Sequence, residues 1–373
     1  MSIKYFFVNS RLGHLGWLLA RYNRFVGSKK ESTYYPNEQQ KSKSKIFLDQ
    51  MQTIMSRGGL EENYYIYGHD RKSVKDRGDY ILEPEHVKMV LDANCHPFGK
   101  NPTWDKQFNY ISLLRDKYVF ALMMEGFGLP IPETMGVATA ETFFCHKRKE
   151  RMPLAKIVNE DMDVMFKPVT GSGGVGMHHI VIKDGVAYKS GKAVSTDELS
   201  DMLGKERYLV QKFVTEQHKD MLSLYPGAIN TLRVTMLRDD KGEIHLLGVM
   251  CLMGAGDMIV SNWHYGGVII NVKPDGYLNE YGYSNSLKRI DRHPDTGVVF
   301  KEFKVPFYDE VLALSRRAME SFYGLKTLGW DIAITPDGPI FIEGNDRWGL
   351  PAHQMVEERG WRDYYRRYFS YKK

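Results

Sequence analysis

Cysteine is scarce in this chain. Among 373 residues there are three, Cys95, Cys145 and Cys251, far apart and with neither a CxxC spacing nor a nearby pair of histidines. That excludes a disulfide framework and the usual zinc sites, and a reducing cytosolic setting is expected. Long apolar runs are missing too. No stretch approaches the roughly 20 residues needed to cross a bilayer, and Arg11, His14 and Arg21 break up any signal-peptide core. The expectation is a soluble, unexported protein without a transmembrane segment. Two familiar phosphate signatures are absent: GxxxxGK[ST] does not occur, and the glycine cluster at 171–176 leads into strand-like sequence where a GxGxxG dinucleotide turn requires a helix. There is no internal repeat.

Hydrophobic residues at 43% and charged residues at 26% are ordinary globular usage, which excludes disorder, collagen and coiled coil. A chain of 373 residues exceeds the size at which one core stops growing, so two or three subdomains around a cleft are expected. The net charge of +5 is uneven, because the first 50 residues hold nine Lys/Arg against three Asp/Glu while the remainder is close to neutral. Leu12, Leu15, Trp17, Leu18 and Leu19 with Arg11, Arg21 and Arg24 suit either a helix packed on its own domain or peripheral contact with an anionic inner membrane face. The shortness of the apolar stripe favours the packed helix. No nucleic-acid motif accompanies the charge, so nucleic acid is not an expected partner.

Residues 28–45 are rich in Lys, Ser, Glu, Gln and Asn and read as an exposed loop or linker. Residues 111–127 repeat apolar positions at helical spacing, and Gly128, Pro130 and Pro132 end that helix. Short strands are expected at 163–167, 178–183 and 207–214 with a helix at 196–203, and longer strands at 231–238 and 244–253. A helix over 305–322 and a strand pair, WDIAIT and PIFIEGN, complete a second α+β unit.

Two local patterns carry chemistry. In FKPVTGSGGVGM, 166–177, a strand ending at Lys167 enters a loop with Gly171, Ser172, Gly173, Gly174, Val175 and Gly176. Glycines admit positive φ and let backbone N–H groups approach an anion, so such a loop can cover phosphates; a flexible hairpin has the same composition. In LGWDIAITPDGPIFIEGND, 328–346, the turn Pro336, Asp337, Gly338 places Asp331 at the start of one strand beside Glu343 and Asn345 at the end of the other. Glu343 and Asn345 are two apart and share a face, so two carboxylates and an amide oxygen converge as a hard oxygen site suited to Mg2+. A hairpin with polar ends is the plainer alternative.

Taken together and in this order, these patterns resemble the ATP-grasp superfamily, which includes D-alanine:D-alanine ligase, glutathione synthetase and the glutamate ligases. The likeness runs over about residues 110–350. NTLRVT, HYGG and GWDIAIT with EGNDRWG are most similar to its sugar-transfer associated members. The resemblance implies an α+β fold in which two α+β subdomains grip ATP: an N-terminal domain at 1–110, a small subdomain at 111–215 and a large one at 216–373. It implies that Lys117 and Lys167 contact the nucleotide phosphates under the glycine loop. It puts Gln211, Lys212 and Val214 of the hinge strand at the adenine edge, and Asp331, Glu343 and Asn345 on magnesium. VSNWHYGG, 260–267, is similar to the RSNxHRGG stretch of glutamate ligases, with Val260 and Tyr265 replacing its two arginines. Arg233 is the candidate replacement, beside Asn262 and His264.

The implied reaction phosphorylates a carboxylate with ATP, after which an amine displaces phosphate; a phosphotransferase or a non-catalytic nucleotide-binding module are the alternatives. Positioning and electrostatics carry such chemistry, consistent with the lack of a nucleophile beside a base. His264 suits either deprotonation of the amine or a structural hydrogen bond. Trp263, Tyr265 and Trp348 suit either stacking on a sugar or burial at a sheet edge. Asp331 and Glu343 are expected to be cleft carboxylates whose removal spares the fold.

Overall fold

The computed structural model describes residues 34–97, 107–171, 173–258, 261, 263, 266–284 and 288–369, together with 13, 16 and 19. The basic stretch around Leu12 to Arg24 therefore lies outside the described residues but for three positions. The N-terminal part contains helices α1 (Lys43–Arg57) and α2 (Glu83–Asn94), then strand β1 (Cys95–Pro97) paired antiparallel with β2 (Gln107–Asn109). Ser42 caps α1 by accepting from Lys45 N, and Gly58 closes it in the left-handed conformation.

Two short helices, α3 (Ser112–Arg115) and α4 (Lys117–Gly126), lead into an eight-stranded sheet. Its strands are β3 (Thr134–Ala138), β4 (Thr142–Cys145), β5 (Glu150–Pro153), β6 (Met162–Pro168), β7 (His178–Lys183), β8 (Val186–Lys189), β9 (Lys192–Val194) and, after helix α5 (Thr196–Leu203), β10 (Tyr208–Lys212). The order is β5-β4-β3-β10-β6-β7-β8-β9 and every pairing is antiparallel. Val164, Phe166, Ile180 and Val210 bury one face against Leu199 and Leu203 of α5. By strand alternation the other face carries Met165, Lys167 and Gln211.

Helix α6 (Lys219–Leu224) precedes a seven-stranded sheet of β11 (Thr231–Arg238), β12 (Ile244–Met253), β13 (Val268–Asn271), β14 (Gly282–Ser284), β15 (Arg289–Ile290) and, beyond helix α7 (Tyr308–Ser321), β16 (Thr327–Thr335) and β17 (Gly338–Asn345). The order is β15-β14-β13-β12-β11-β16-β17. One face buries Leu232, Val234 and Trp330 against Val311, Ala318 and Met319 of α7. Leu114, Phe120 and Met124 of α3 and α4 join that same core, so the helix that begins at Lys117 is anchored on the large sheet. On the opposite face, Met250, Leu252, Ile269 and Tyr283 are covered by Tyr34, Tyr35, Tyr67 and Tyr80, with helix α8 (Leu350–Val356) beside them and α9 (Arg362–Tyr368) following.

Two expectations change. The helix expected at 111–127 is broken at Asp116, which adopts extended backbone and caps α4 by accepting from Tyr118 N and Val119 N. A carboxylate at that position satisfies two orphan helix donors, and capping prevails over the apolar period. Residues 28–45 are not an exposed loop throughout: Tyr34 and Tyr35 are buried, Tyr34 Oη donates to Ser284 O at 2.9 Å, and α1 starts at Lys43. Two tyrosines suffice to anchor a segment without periodicity.

Asp116→Ala should cost about 1 kcal/mol in urea denaturation through loss of this cap, and should weaken whatever Lys117 binds, because Lys117 is the first helical residue.

Candidate active site

Side chains paired across antiparallel strands stand on the same face. The register pairs Arg233 with Asp331 and Asp331 with Glu343, and Met250 and Asn271 continue the row across β12 and β13. Asn345 lies opposite Gly329, one step along the same face. Asp331 thus sits mid-strand rather than at a strand start, and the three residues meet through register. Asn345 Nδ2 donates to Asp331 Oδ2 at 3.2 Å.

Arg233 holds Asp331 with both arms, Nε to Oδ1 at 2.7 Å and Nη2 to Oδ2 at 2.6 Å. Both side chains are largely buried, at 17% and 10% exposure. This fork fixes the orientation of the carboxylate, and among the described residues Nη1 of Arg233 makes no hydrogen bond. Among the described residues no arginine forms an ion pair with Glu343; burial and the adjacent Asp331 charge push its carboxyl pKa up, against the pull of Arg233 and Lys117. The expectation that either carboxylate can be removed harmlessly is therefore corrected for Asp331. Removing it strands a buried guanidinium, a loss of roughly 3–5 kcal/mol.

The small sheet brings cations to these carboxylates. Lys167 Nζ donates to Gln211 Oε1 at 2.9 Å, and Gln211 Nε2 donates to Pro132 O at 3.2 Å. The buried Gln211 amide thus orients a lysine and is not free to read a base edge. Burial lowers the Lys167 pKa to about 8, with Glu343 opposing the shift and Lys117 adding to it. Lys117 is lowered by burial as well, and its Nζ donates to Gly171 O at 2.7 Å in the glycine loop. Lys117, Lys167 and Glu343 act on one another electrostatically, so residues from two sheets and a helix form one charged cluster. Gly171, Gly173, Gly174 and Gly176 all have positive φ, 127°, 73°, 76° and 74°, and Val175 is exposed at the loop tip.

At the hinge, Lys212 N–H is taken by Glu133 O and Phe213 N–H by Asp163 O, at 2.9 and 2.8 Å, while the Lys212 side chain is exposed and Val214 half-buried. Trp348 is fully buried, its Nε1 donating to Thr327 Oγ1 at 3.1 Å, and cannot stack on a ligand. Trp263 is half-buried against the N-terminal tyrosines. Ser172, Asn262, His264, Val260 and Tyr265 lie outside the described residues. Sequence reasoning missed Asp116 and the holding role of Gln211. The first had a legible signal, an acidic residue at the N-cap position directly before Lys117; the second had none, because it depends on the β6–β10 register.

Two carboxylates that face each other, one of them pushed toward protonation, fit a divalent cation whose remaining positions go to phosphate oxygens and water. Asn345 presents Nδ2 to Asp331, and half a turn of its amide would offer Oδ1 to such an ion in the same place.

Neutral Lys167 is favoured by folding, so the unfolded chain holds the extra proton between its folded pKa of about 8 and the ordinary 10.5, and stability rises with pH across that window. The ammonium that would bind phosphate is lost over the same range. Affinity for MgATP, followed by calorimetry from about pH 6.5 to 9.5, should decline above about pH 8, and Lys167→Arg should flatten that decline. Gly173→Val places a branched side chain at positive φ, a strain of about 1–2 kcal/mol, and should weaken MgATP binding while the melting temperature changes little.

No curated protein matches the sequence. Among solved structures, carboxyaminoimidazole ribonucleotide synthase from Aspergillus clavatus complexed with ATP is 14% identical, covers 66% of this chain and 47% of its own, and has a TM-score of 0.39. VanG D-Ala:D-Ser ligase from Enterococcus faecalis is 12% identical over 67% of this chain and 61% of its own, TM-score 0.38. ATP-grasp ligase PsnB complexed with minimal precursor, Mg and ADP is 13% identical over 67% and 60%, TM-score 0.33. The match to each spans less than two thirds of that protein's length. The sequence matches the sugar-transfer associated ATP-grasp family over residues 105–367, most of the chain. With its two antiparallel sheets and flanking helices, this chain has the α+β ATP-grasp fold and belongs to the sugar-transfer associated ATP-grasp family.

Proposed function

We propose that the chain is an ADP-forming carboxylate–amine ligase that works through an acyl phosphate on a sugar, amino acid or glycoconjugate precursor of surface polysaccharide. The observation that carries this reading is the convergence of Lys117, Lys167 and Glu343 from separate elements onto the face where Arg233 locks Asp331. ATP supplies the phosphoryl group. Asp331, Glu343 and Asn345 hold magnesium, whose chemistry is to screen the phosphate oxygens and polarise the transferred group.

The charge problem sets the division of labour. A carboxylate must approach a triphosphate, and Lys117 and Lys167 neutralise phosphate oxygens while the glycine loop covers them and excludes water. Nε and Nη2 of Arg233 are both fixed on Asp331, so Nη1 meets an anionic oxygen without reorganising. The substrate carboxylate oxygen takes the γ-phosphoryl group as ADP leaves. The amine nitrogen then attacks the carbonyl carbon, the bond to phosphate breaks, and the amine proton passes to a base, for which His264 beside Asn262 is the candidate. Gln211 keeps Lys167 aimed, and the backbone near Lys212 and Val214 borders the base. Among the described residues no helix is long and apolar enough to cross a membrane, and in this proposal the protein acts in the cytoplasm on small-molecule substrates.

Glu343→Gln keeps size and removes the charge that burial disfavours. It should leave the melting temperature equal or higher while abolishing ADP release in a screen of amino acids, uronic acids and amines. Wild-type ADP release that needs both a carboxylate and an amine supports ligation. Phosphate retained on a stable product indicates a phosphotransferase, and equal, metal-independent nucleotide binding by wild type and Glu343→Gln indicates a non-catalytic module.

A further inference from the structure

The chain between β12 and β13 includes Gly254, Gly256, Met258 and Ser261 and runs on to Asn262 and His264 in sequence. It leaves the sheet immediately after β12, whose Met250 neighbours Arg233. The described residues of this segment are fixed by groups from two other parts of the chain. Tyr225, in the turn after α6, shares its hydroxyl proton between Gly256 O at 2.6 Å and Met258 O at 2.9 Å. Ser261 Oγ donates to Ile229 O at 2.5 Å. From the segment before α7, His293 Nε2 donates to Gly254 O at 2.8 Å and Asp295 Oδ2 accepts from Gly256 N at 2.8 Å.

The ring of Tyr225 is seated as tightly as its hydroxyl. A Cβ at Gly254 would lie 2.4 Å from Tyr225 Cε1, and one at Gly227 would lie 2.5 Å from Tyr225 Oη, so both neighbours have to be glycine for the ring to fit. On its other side the ring stacks on His293 at 5.5 Å. His293 is fully buried; burial lowers its pKa, and its Nδ1 accepts from Asp295 N at 3.3 Å, which selects the neutral tautomer that donates from Nε2. The Pro226–Gly227 turn, a buried histidine and two loop glycines are thus organised around one tyrosine. Among the described residues, no hydrogen bond or ring contact joins these groups to Lys117 or Lys167.

We infer that Tyr225 is a positioning residue for residues 254–258: it sets the acceptor side of the site and is energetically separate from nucleotide binding. The acceptor role rests on the proposed ligase reading; the clamp itself does not. A single phenol hydroxyl with two carbonyl partners can be removed without emptying the space its ring fills, so Tyr225→Phe isolates the clamp.

The test uses the full chain and three measurements. In hydrogen exchange read by mass spectrometry, peptides covering 254–258 in Tyr225→Phe should exchange about tenfold faster than in wild type, the equivalent of one hydrogen bond, while peptides of β16 and β17 stay unchanged. The dissociation constant for MgATP should stay within about twofold. Where wild type releases ADP with a carboxylate and amine pair, Tyr225→Phe should raise the KM for the amine or lower kcat by about tenfold with the KM for ATP unmoved. Unchanged exchange at 254–258 overturns the inference. So does MgATP binding that weakens together with the melting temperature, since that marks general support of the fold. If wild type turns over no substrate pair, the ligase reading fails by itself, and exchange and nucleotide affinity still decide the clamp. Tyr225→Ala, which also vacates the pocket between Gly227 and Gly254, should lower the melting temperature where Tyr225→Phe does not.

Discussion

Two carboxylates, Asp331 and Glu343, face each other across neighbouring strands, and most of the site is arranged around that repulsion. Antiparallel register puts them side by side, and burial removes the water that would screen them. Arg233, on the next strand, resolves half of the conflict by binding Asp331 with two arms. Its Nε and Nη2 are spent on that partner, and despite its pull Glu343 remains pushed toward protonation. A site left in this condition binds cations well, because each arriving positive charge relieves a cost already present in the fold.

The same constraint explains where the lysines are. Lys167 and Lys117 are each disfavoured as cations by burial, and Glu343 is the charge that favours them in both cases. Carboxylate and lysines are therefore each in a poor environment alone and in a tolerable one together. The cluster spans the two sheets and α4. Its members are held from behind: Gln211 orients Lys167 and is itself tied to Pro132 O, and Asp116 caps the helix that starts at Lys117. Such support fixes charges before a ligand arrives, and preorganisation of this kind is what electrostatic catalysis requires.

The strands were legible because their apolar patterns are long: 178–183, 231–238 and 244–253 are strands over those same residues, and 196–203 is helical throughout. The helix at 111–127 was misread because a capping carboxylate inside an apolar period leaves the period intact. The composition of 28–45 hides its two anchoring tyrosines among sixteen other residues, whereas burial is decided by what they can reach, here Tyr283 and Ser284. In the site, the residue types were readable and the partners were not. Nothing in NTLRVTML says that Arg233 will lie opposite Asp331, nor in YLVQKFV that Gln211 will face inward to Lys167. Long-range register is set by tertiary packing, and a single sequence carries it only indirectly.

Arg233 shows what that register adds to a motif. As a lone arginine on a strand it was a substitute for the two arginines that Val260 and Tyr265 replace. Its fork on Asp331 fixes the carboxylate and, through the same planar guanidinium, the direction of Nη1. A free arginine would have to give up rotamer freedom when an anion binds, and one held by Asp331 has already done so.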